Sequence, residues 1–201
     1  LAEEFRQKYP LKPLINGEPC YEQMGYSEGK HGRFARSEVR RAGWLSILAG
    51  ASAGIAYGAH GLWNWNKPGF PQNPTTGEAF FDTPLLAQEA LQIPGAGDFG
   101  YIRAIFELFH ITTLQPSRKL LTDREDVRMA EADEGKLYLI YSAVNTKIAL
   151  DFDCSQAKIR AIDLSSGQVN YPGISTAAGK STIGLRFFQG DELLIIQFDN
   201  L

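Results

Sequence analysis

The sequence contains few of the residues that build metal centres and disulfide frameworks. Its 201 residues include two cysteines, Cys20 and Cys154, and three histidines. The two cysteines lie far apart and match no metal-binding spacing. We therefore expect two free, structural thiols, with a single disulfide between them as the alternative. Neither a metal ion nor a cofactor is expected.

Basic patches are also missing. The formal net charge is −3, and no face rich in Lys or Arg is apparent, so nucleic acid is not an expected partner. The chain starts at Leu1 instead of Met, inside the predicted helix "LAEEFRQKY", and no signal peptide is visible. We therefore expect a piece of a longer protein.

One long stretch carries no charge. Residues 42–63 contain no Asp, Glu, Lys or Arg, and this length can cross a bilayer of roughly 30 Å. Five glycines, two serines, a tyrosine and a histidine make it only weakly apolar, and Gly58 and Gly61 would weaken a helix by roughly 1 kcal/mol each. We expect a break near Gly54, with a helix before it and a buried strand after it, and no membrane span. A membrane-anchored protein is the third hypothesis.

The pattern of the sequence changes at the linker "TTLQPSRKLLTD". Before it, the apolar stretches "KPLINGEP" and "IAYGAHGLWNW" alternate with predicted helices, which is typical of parallel α/β proteins. After it, short runs separated by turns every ten residues or so indicate an antiparallel β-sandwich. These runs are "VRMAEAD", "KLYLIYSA", "TKIALDFD", "KIRAIDLS", "STIGLRFF" and "DELLIIQF". The predicted domains are 1–118 and 119–201.

Capping residues predict three helix starts in the first domain. Ser37 is the expected N-cap of one helix, and Asp98 that of another. Thr83 and Pro84 form the expected N-cap and first position of "PLLAQEALQ". The apolar stripe of the last helix is expected to comprise Ile102, Ile105, Phe106 and Phe109. The polar side of the first is expected to carry Arg33, Arg36, Arg40 and Arg41.

Polar and aromatic residues follow both predicted strands. Asn16, Gly17 and Glu18 come after the first strand. The second ends in His60, Trp63, Asn64 and Trp65. In parallel barrels, the side chains at the carboxyl ends of the strands build the active site. A carboxylate beside aromatic rings is typical of a carbohydrate site, where it acts as nucleophile, acid or base.

Each of these residues also has a purely structural interpretation. Glu18 is compatible with a solvated loop acid or an ion-pair partner, and Glu22 with a supporting role. His60 is compatible with a buried, hydrogen-bonded histidine. Trp63 and Trp65 are compatible with core packing, and as alternate residues of one strand they would share a face. The aspartates of "DFD", at 151 and 153, are expected to be turn or strand-edge residues and not a calcium site.

Three segments, in this order, resemble a known family. "KPLINGEPCYE", "RRAGWLSILAGASAGIAYGAHGLWNW" and "PGAGDFGYIRAIFEL" are similar to the C-terminal part of the apiosidase-like glycoside hydrolase catalytic domain. The resemblance covers roughly residues 1–115. It implies an α/β plus all-β fold, with the C-terminal portion of a (β/α)8 TIM barrel followed by a small antiparallel β-sandwich that in this family is described as collagen-binding. It also implies secretion or a periplasmic location.

The resemblance also implies roles for single residues. The loop after strand seven carries the family's glutamate nucleophile, and Glu18 is the matching position. The predicted substrate-binding residues are Asn16, Glu22, Tyr57, His60, Trp63 and Trp65. The general acid/base expected near the end of strand four has no counterpart in the chain. Activity is therefore assigned to the parent protein, and the 201 residues alone are expected to be inactive.

Two functions thus follow from the sequence. The first is a glycoside hydrolase that cleaves glycosidic bonds in plant cell-wall polysaccharide, with a carbohydrate as its partner. The alternative is a non-catalytic carbohydrate- or matrix-binding module, in which the β-sandwich binds the ligand and the α/β part is a scaffold.

Overall fold

The computed structural model describes residues 2–9, 12–26, 32–63, 65–70 and 81–198. Helices and short parallel strands occupy the chain up to residue 108, and antiparallel strands follow from residue 115. The helices are α1 (Ala2–Lys8), α2 (Arg36–Leu48), α3 (Ala87–Ala90) and α4 (Gly95–Leu108). The first five strands are β1 (Ile15–Asn16), β2 (Tyr21–Glu22), β3 (Gly54–Ile55), β4 (Gly58–Ala59) and β5 (Gln115–Pro116). The others are β6 (Val127–Ala132), β7 (Leu137–Ser142), β8 (Ile148–Leu150), β9 (Lys158–Asp163), β10 (Val169–Asn170), β11 (Ile174–Ala177), β12 (Lys180–Ile183) and β13 (Glu192–Gln197).

The stretches 14–22 and 53–60 run parallel to each other, but the pairing is interrupted. β1 pairs with β3, and β2 pairs with β4, both in parallel register. Between the two pairs, residues 17–20 lie opposite residues 56–57, so the first stretch has two more residues than its partner. The extra residues form a bulge, a feature that redirects side chains and is common beside active sites.

This arrangement corrects the prediction of two uninterrupted, buried strands. The ladder resumes at Tyr21–Glu22, so Glu18 lies within the strand region and not beyond its end. Ile15 is 63% exposed, which also contradicts the prediction that the first strand, "KPLINGEP", is buried. The second strand ends at Ala59, because Gly61 has φ +107° and begins a turn.

The three predicted helix starts are wrong, although the helices exist. α2 begins at Arg36, and Ala35 N–H donates to Glu38 Oε2 at 2.8 Å. α3 begins three residues after Pro84, where Leu86 N–H donates to Glu89 Oε2. In both helices a glutamate three residues beyond the N-cap residue accepts from that residue's own backbone N–H, and neither Ser37 nor Thr83 is the cap. α4 begins at Gly95, so Asp98 lies inside its first turn.

Each of the six predicted β runs contains a strand, and these strands form two sheets. The larger sheet is antiparallel, with the order β10-β9-β13-β7-β6-β5. The smaller sheet is also antiparallel, with the order β11-β12-β8. In the large sheet, Leu194 of β13 lies between Ile140 of β7 and Ala161 of β9, which fixes the register of the three central strands.

The large sheet carries a hydrophobic core on each face. One face, with Leu139, Tyr141 and Leu193, packs against Trp44, Leu48, Ile102 and Ile105 of helices α2 and α4. The other, with Ile140 and Leu194, packs against Ile148 and Leu150 of β8 and Ile183 of β12. Successive strand residues point to opposite faces, so all six residues of β7 are buried. Phe106 and Phe109 complete the predicted stripe of α4 at the edge of the first core.

The mixed helix-and-sheet class is therefore confirmed. No closed barrel is present among the described residues, in which the parallel strands form two two-stranded sheets. The first core joins helices from before residue 118 to strands from after it, so the two predicted domains pack as neighbours.

Candidate active site

Glu18 lies on the bulge between β1 and β2 and is exposed to solvent. Its backbone N–H donates to Asn16 Oδ1 at 3.3 Å, so the asparagine caps the turn that carries it. The Tyr21 hydroxyl donates to Glu18 Oε1 at 2.7 Å. Among the described residues, no hydrogen bond reaches the other carboxylate oxygen, Oε2.

Aromatic rings surround the tyrosine that contacts Glu18. Trp63 meets the Tyr21 ring edge-on, with ring centroids 5.2 Å apart. The ring centroid of Phe81 lies 6.2 Å from that of Trp63. Trp63 is 51% exposed. We call the cluster of Glu18, Tyr21 and Trp63 the Glu18 face.

Glu22 follows Tyr21 in strand β2, so its side chain points to the opposite face of the strand. Its side chain is 1% exposed, and Oε2 accepts hydrogen bonds from the Tyr57 hydroxyl at 2.7 Å and from Gly95 N–H at 2.8 Å. Gly95 begins helix α4, where a carboxylate is favoured by the partial positive charge of the helix end. Burial is the main cause that raises the pKa of Tyr57, and the hydrogen bond to Glu22 is the second. Glu22 therefore connects strand β2 to the start of helix α4.

The remaining predicted binding residues lie around the strand. Asn16 Nδ2 donates to Ser46 Oγ of helix α2 at 2.8 Å, so its amide points away from Glu18 Oε1. His60 is buried, with Nδ1 3.2 Å from Gln23 O. Asn64 lies outside the described residues.

Trp63 and Trp65 do not share a strand face, contrary to the expectation. Both lie in the turn after β4, and Trp65 has φ +51°. Trp65 is 52% exposed, and only Trp63 contacts Tyr21. The structure thus places Asn16 against the Glu18 backbone and connects Glu18 to Trp63 through Tyr21, which the sequence analysis did not single out. Its signal was its place three residues after Glu18 in "EPCYE".

The arginines of α2 are not simply the polar side of a helix. Arg36 donates to both carboxylate oxygens of Asp98, at 2.8 and 2.7 Å. Arg40 is buried between Asp98 and Asp191, with hydrogen bonds of 3.1 Å and 2.9 Å. Asp191 precedes β13, so this buried network links the helices to the large sheet.

Neither cysteine has the properties of a nucleophile. Cys20 and Cys154 are both free, as expected. Burial, followed by the charge of Glu38, raises the pKa of Cys20 to about 11. The thiol is therefore protonated and poorly reactive at neutral pH.

In the described part of the chain, no group of three or more His, Cys, Asp or Glu side chains is arranged to hold a metal ion. Asp151 pairs with Lys180, and Asp153 accepts a hydrogen bond from Ser155 N–H. No helix within the described ranges is long and apolar enough to cross a membrane.

A groove of about 840 Å³ lies elsewhere, on the helix side of β3. Its apolar lining includes Ile55, Phe99, Ile102 and Phe106, and neither Glu18 nor Tyr21 borders it. The Glu18 face is instead open to solvent in the described structure.

Two solved structures resemble the whole chain in fold. One is named glycoside hydrolase, with a TM-score of 0.74 and 20% identity over 98% of this chain and 46% of the other. The second is a glycoside hydrolase family 5 protein from Bacteroides vulgatus ATCC 8482, with a TM-score of 0.77 and 20% identity over 98% of this chain and 43% of the other. The chain therefore spans less than half the length of either structure.

Sequence comparison gives the family. A search of curated proteins finds no match to the chain. The family model described as "Apiosidase-like, catalytic domain" matches residues 1–113, which is more than half of the chain and includes the whole Glu18 face. The chain belongs to the apiosidase-like catalytic domain family and contains a glycoside hydrolase-like domain.

Proposed function

We propose that this chain is the C-terminal part of a glycoside hydrolase acting on plant cell-wall polysaccharide, with Glu18 as its nucleophile. The observation that carries the proposal is the Glu18 face, where an exposed carboxylate accepts a hydrogen bond from Tyr21 beside the half-exposed Trp63 ring. The paired strands 14–22 and 53–60 then correspond to the last two strands of a (β/α)8 barrel. The two antiparallel sheets correspond to the appended β-sandwich.

The chemistry follows from the free oxygen of Glu18. Oε2 attacks the anomeric carbon of the sugar, forming a carbon–oxygen bond while the glycosidic bond breaks. The departing oxygen takes a proton from a second carboxylic acid. Water then releases the sugar from Glu18, giving its proton to that same group. The two carboxyl groups must lie about 5–5.5 Å apart for this retaining mechanism. We propose that the second comes from the N-terminal portion that the longer relatives contain.

Trp63 supplies binding surface for the sugar. Exposed aromatic rings bury large apolar areas when a ligand covers them. Asn16, Glu22, Tyr57 and His60 act indirectly in this account, by holding the bulge and the strand ends. Glu22, for example, is buried against helix α4.

The test uses the full-length parent and a panel of solubilised plant cell-wall polysaccharides, with release of reducing sugar as the readout. Glu18→Gln is expected to lower kcat at least about a thousandfold, because the amide cannot form the glycosyl intermediate. Glu22→Gln is the matched control and is expected to keep kcat within about tenfold, since only a buried hydrogen bond changes. The 201-residue chain alone is expected to release no sugar. Near-normal activity of Glu18→Gln would overturn the proposal.

A further inference from the structure

The hydroxyl of Tyr21 fixes one oxygen of the Glu18 carboxylate and leaves the other open. The bond from Tyr21 Oη to Glu18 Oε1 is 2.7 Å long. Glu18 lies on a bulge and is exposed, so little else restrains its side chain. Burial, followed by the hydrogen bond to Glu18, raises the pKa of Tyr21 above its ordinary value of 10. The phenol therefore stays protonated, and remains a donor, throughout the neutral range.

The Tyr21 ring is itself held in place by two neighbours. Trp63 contacts it edge-on with an interplanar angle of 86°. On the other strand, the ring covers Gly58, which pairs with Tyr21 in the parallel ladder. A Cβ at position 58 would lie 2.8 Å from Tyr21 Cγ and closer still to Cδ1 and Cε1. Any larger residue at 58 therefore displaces the ring.

We propose that Tyr21 is a positioning residue for the Glu18 carboxylate, and that Gly58 provides the space in which its ring is seated. The inference rests on the proposed role of Glu18 as nucleophile. Tyr21 orients the carboxylate so that Oε2 points to the substrate.

The first test is Tyr21→Phe in the full-length parent, with kcat and KM measured on a polysaccharide that the wild type cleaves, and with the thermal unfolding midpoint measured beside them. We expect kcat to fall about tenfold, because a hydrogen bond to a charged group is lost. KM is expected to change less than twofold, so that the loss lies in the chemical step and not in substrate binding.

Tyr26→Phe is the matched control. The Tyr26 hydroxyl donates to Glu38 at 2.8 and 2.9 Å, so this change removes the same kind of bond at the start of helix α2. Its kcat and KM are expected to equal those of the wild type. A purely structural role for Tyr21 would lower the unfolding midpoint without lowering the kcat of the folded enzyme. An unchanged kcat in Tyr21→Phe would overturn the proposal.

A double-mutant cycle tests the part played by Gly58. Gly58→Ala is expected to reproduce the kcat loss of Tyr21→Phe, again with KM nearly unchanged. In a Tyr21→Ala background, which lacks the ring, Gly58→Ala is expected to cost nothing further. Equal effects of Gly58→Ala in both backgrounds would contradict the seating role. If Glu18→Gln retains activity, the proposed function itself fails, whereas an inactive Glu18→Gln with a normal Tyr21→Phe refutes only this inference.

Discussion

Arg40 of helix α2 and Asp191, which precedes β13, form a buried ion pair 151 residues apart in the chain. Nε donates to Oδ2 at 2.9 Å, and both side chains are about 95% removed from solvent. The Tyr141 hydroxyl also donates to Oδ2, at 3.1 Å. The helical part and the large sheet are therefore joined by charge as well as by their shared apolar core.

Asp191→Asn is expected to destabilise the chain by about 3 kcal/mol, because it leaves the buried Arg40 with Asp98 as its only carboxylate. Urea unfolding of the wild type and the variant measures the difference. Asp151→Asn breaks an ion pair with Lys180 whose partners are both half exposed, and it is expected to cost less than about 1 kcal/mol. Equal losses in the two variants would contradict the importance of the buried pair.

The ionisation of Asp163 makes the free energy of unfolding depend on pH in the acidic range. Burial acts to raise its pKa, but hydrogen bonds from the Ser165 hydroxyl and from the backbone of Ser165 and Ser166 outweigh it and lower the pKa below 3.8. The ionised form is thus favoured in the folded state. Its contribution to stability is fully present above pH 3.8 and is lost as the pH falls through the lower, folded-state pKa.

Asp163→Asn is therefore expected to reduce the free energy of unfolding near pH 6 and to have a smaller effect near pH 2. Chemical unfolding of both proteins at a series of pH values gives the comparison. A gap between wild type and variant that stays constant from pH 6 to pH 2 would show that the Asp163 charge does not contribute in this way.

Glycines 95 and 97 of helix α4 are expected to respond oppositely to alanine. A Cβ on Gly95 would lie 2.9 Å from Glu22 Cδ and 2.9 Å from Tyr57 Cε2, so Gly95→Ala disrupts the contact between strand and helix and costs about 1–3 kcal/mol. A Cβ on Gly97 meets nothing within 4 Å, so Gly97→Ala is expected to stabilise the helix by about 0.5–1 kcal/mol. Thermal unfolding distinguishes them, and a neutral Gly95→Ala would contradict the close packing described for Glu22.

Local patterns in the sequence were enough to find six of the eight described strands of the second half, and missed β10 and β11. Each run, such as "KLYLIYSA", is bounded by turn residues, so the sequence itself shows where the strand begins and ends. The burial of β7 on both faces was not predictable in the same way. It requires the helices on one side and the small sheet on the other, and these come from distant parts of the chain.

In the candidate site, too, the residues in local motifs were predicted and the contacts between distant segments were not. Glu18 and Trp63 were found because each belongs to a short motif. Tyr21 was missed because its contact with Glu18 depends on a bulge, which appears only when the two strands are paired. Arg40 was assigned to a polar surface because its partner Asp191 lies 151 residues away. The contact between Arg40 and Asp191 left no local signal in the sequence.

The central claim is that Glu18 is the group that bonds to the sugar. Azide rescue of Glu18→Ala in the full-length parent tests it most directly, using an aryl glycoside of the sugar that the parent releases. Azide fits the space left by the missing side chain and attacks the anomeric carbon as the aryloxide departs. The account predicts that azide restores turnover in Glu18→Ala, but not in Glu22→Ala, and that the product is a glycosyl azide of inverted anomeric configuration. Rescue of Glu22→Ala in place of Glu18→Ala would contradict it.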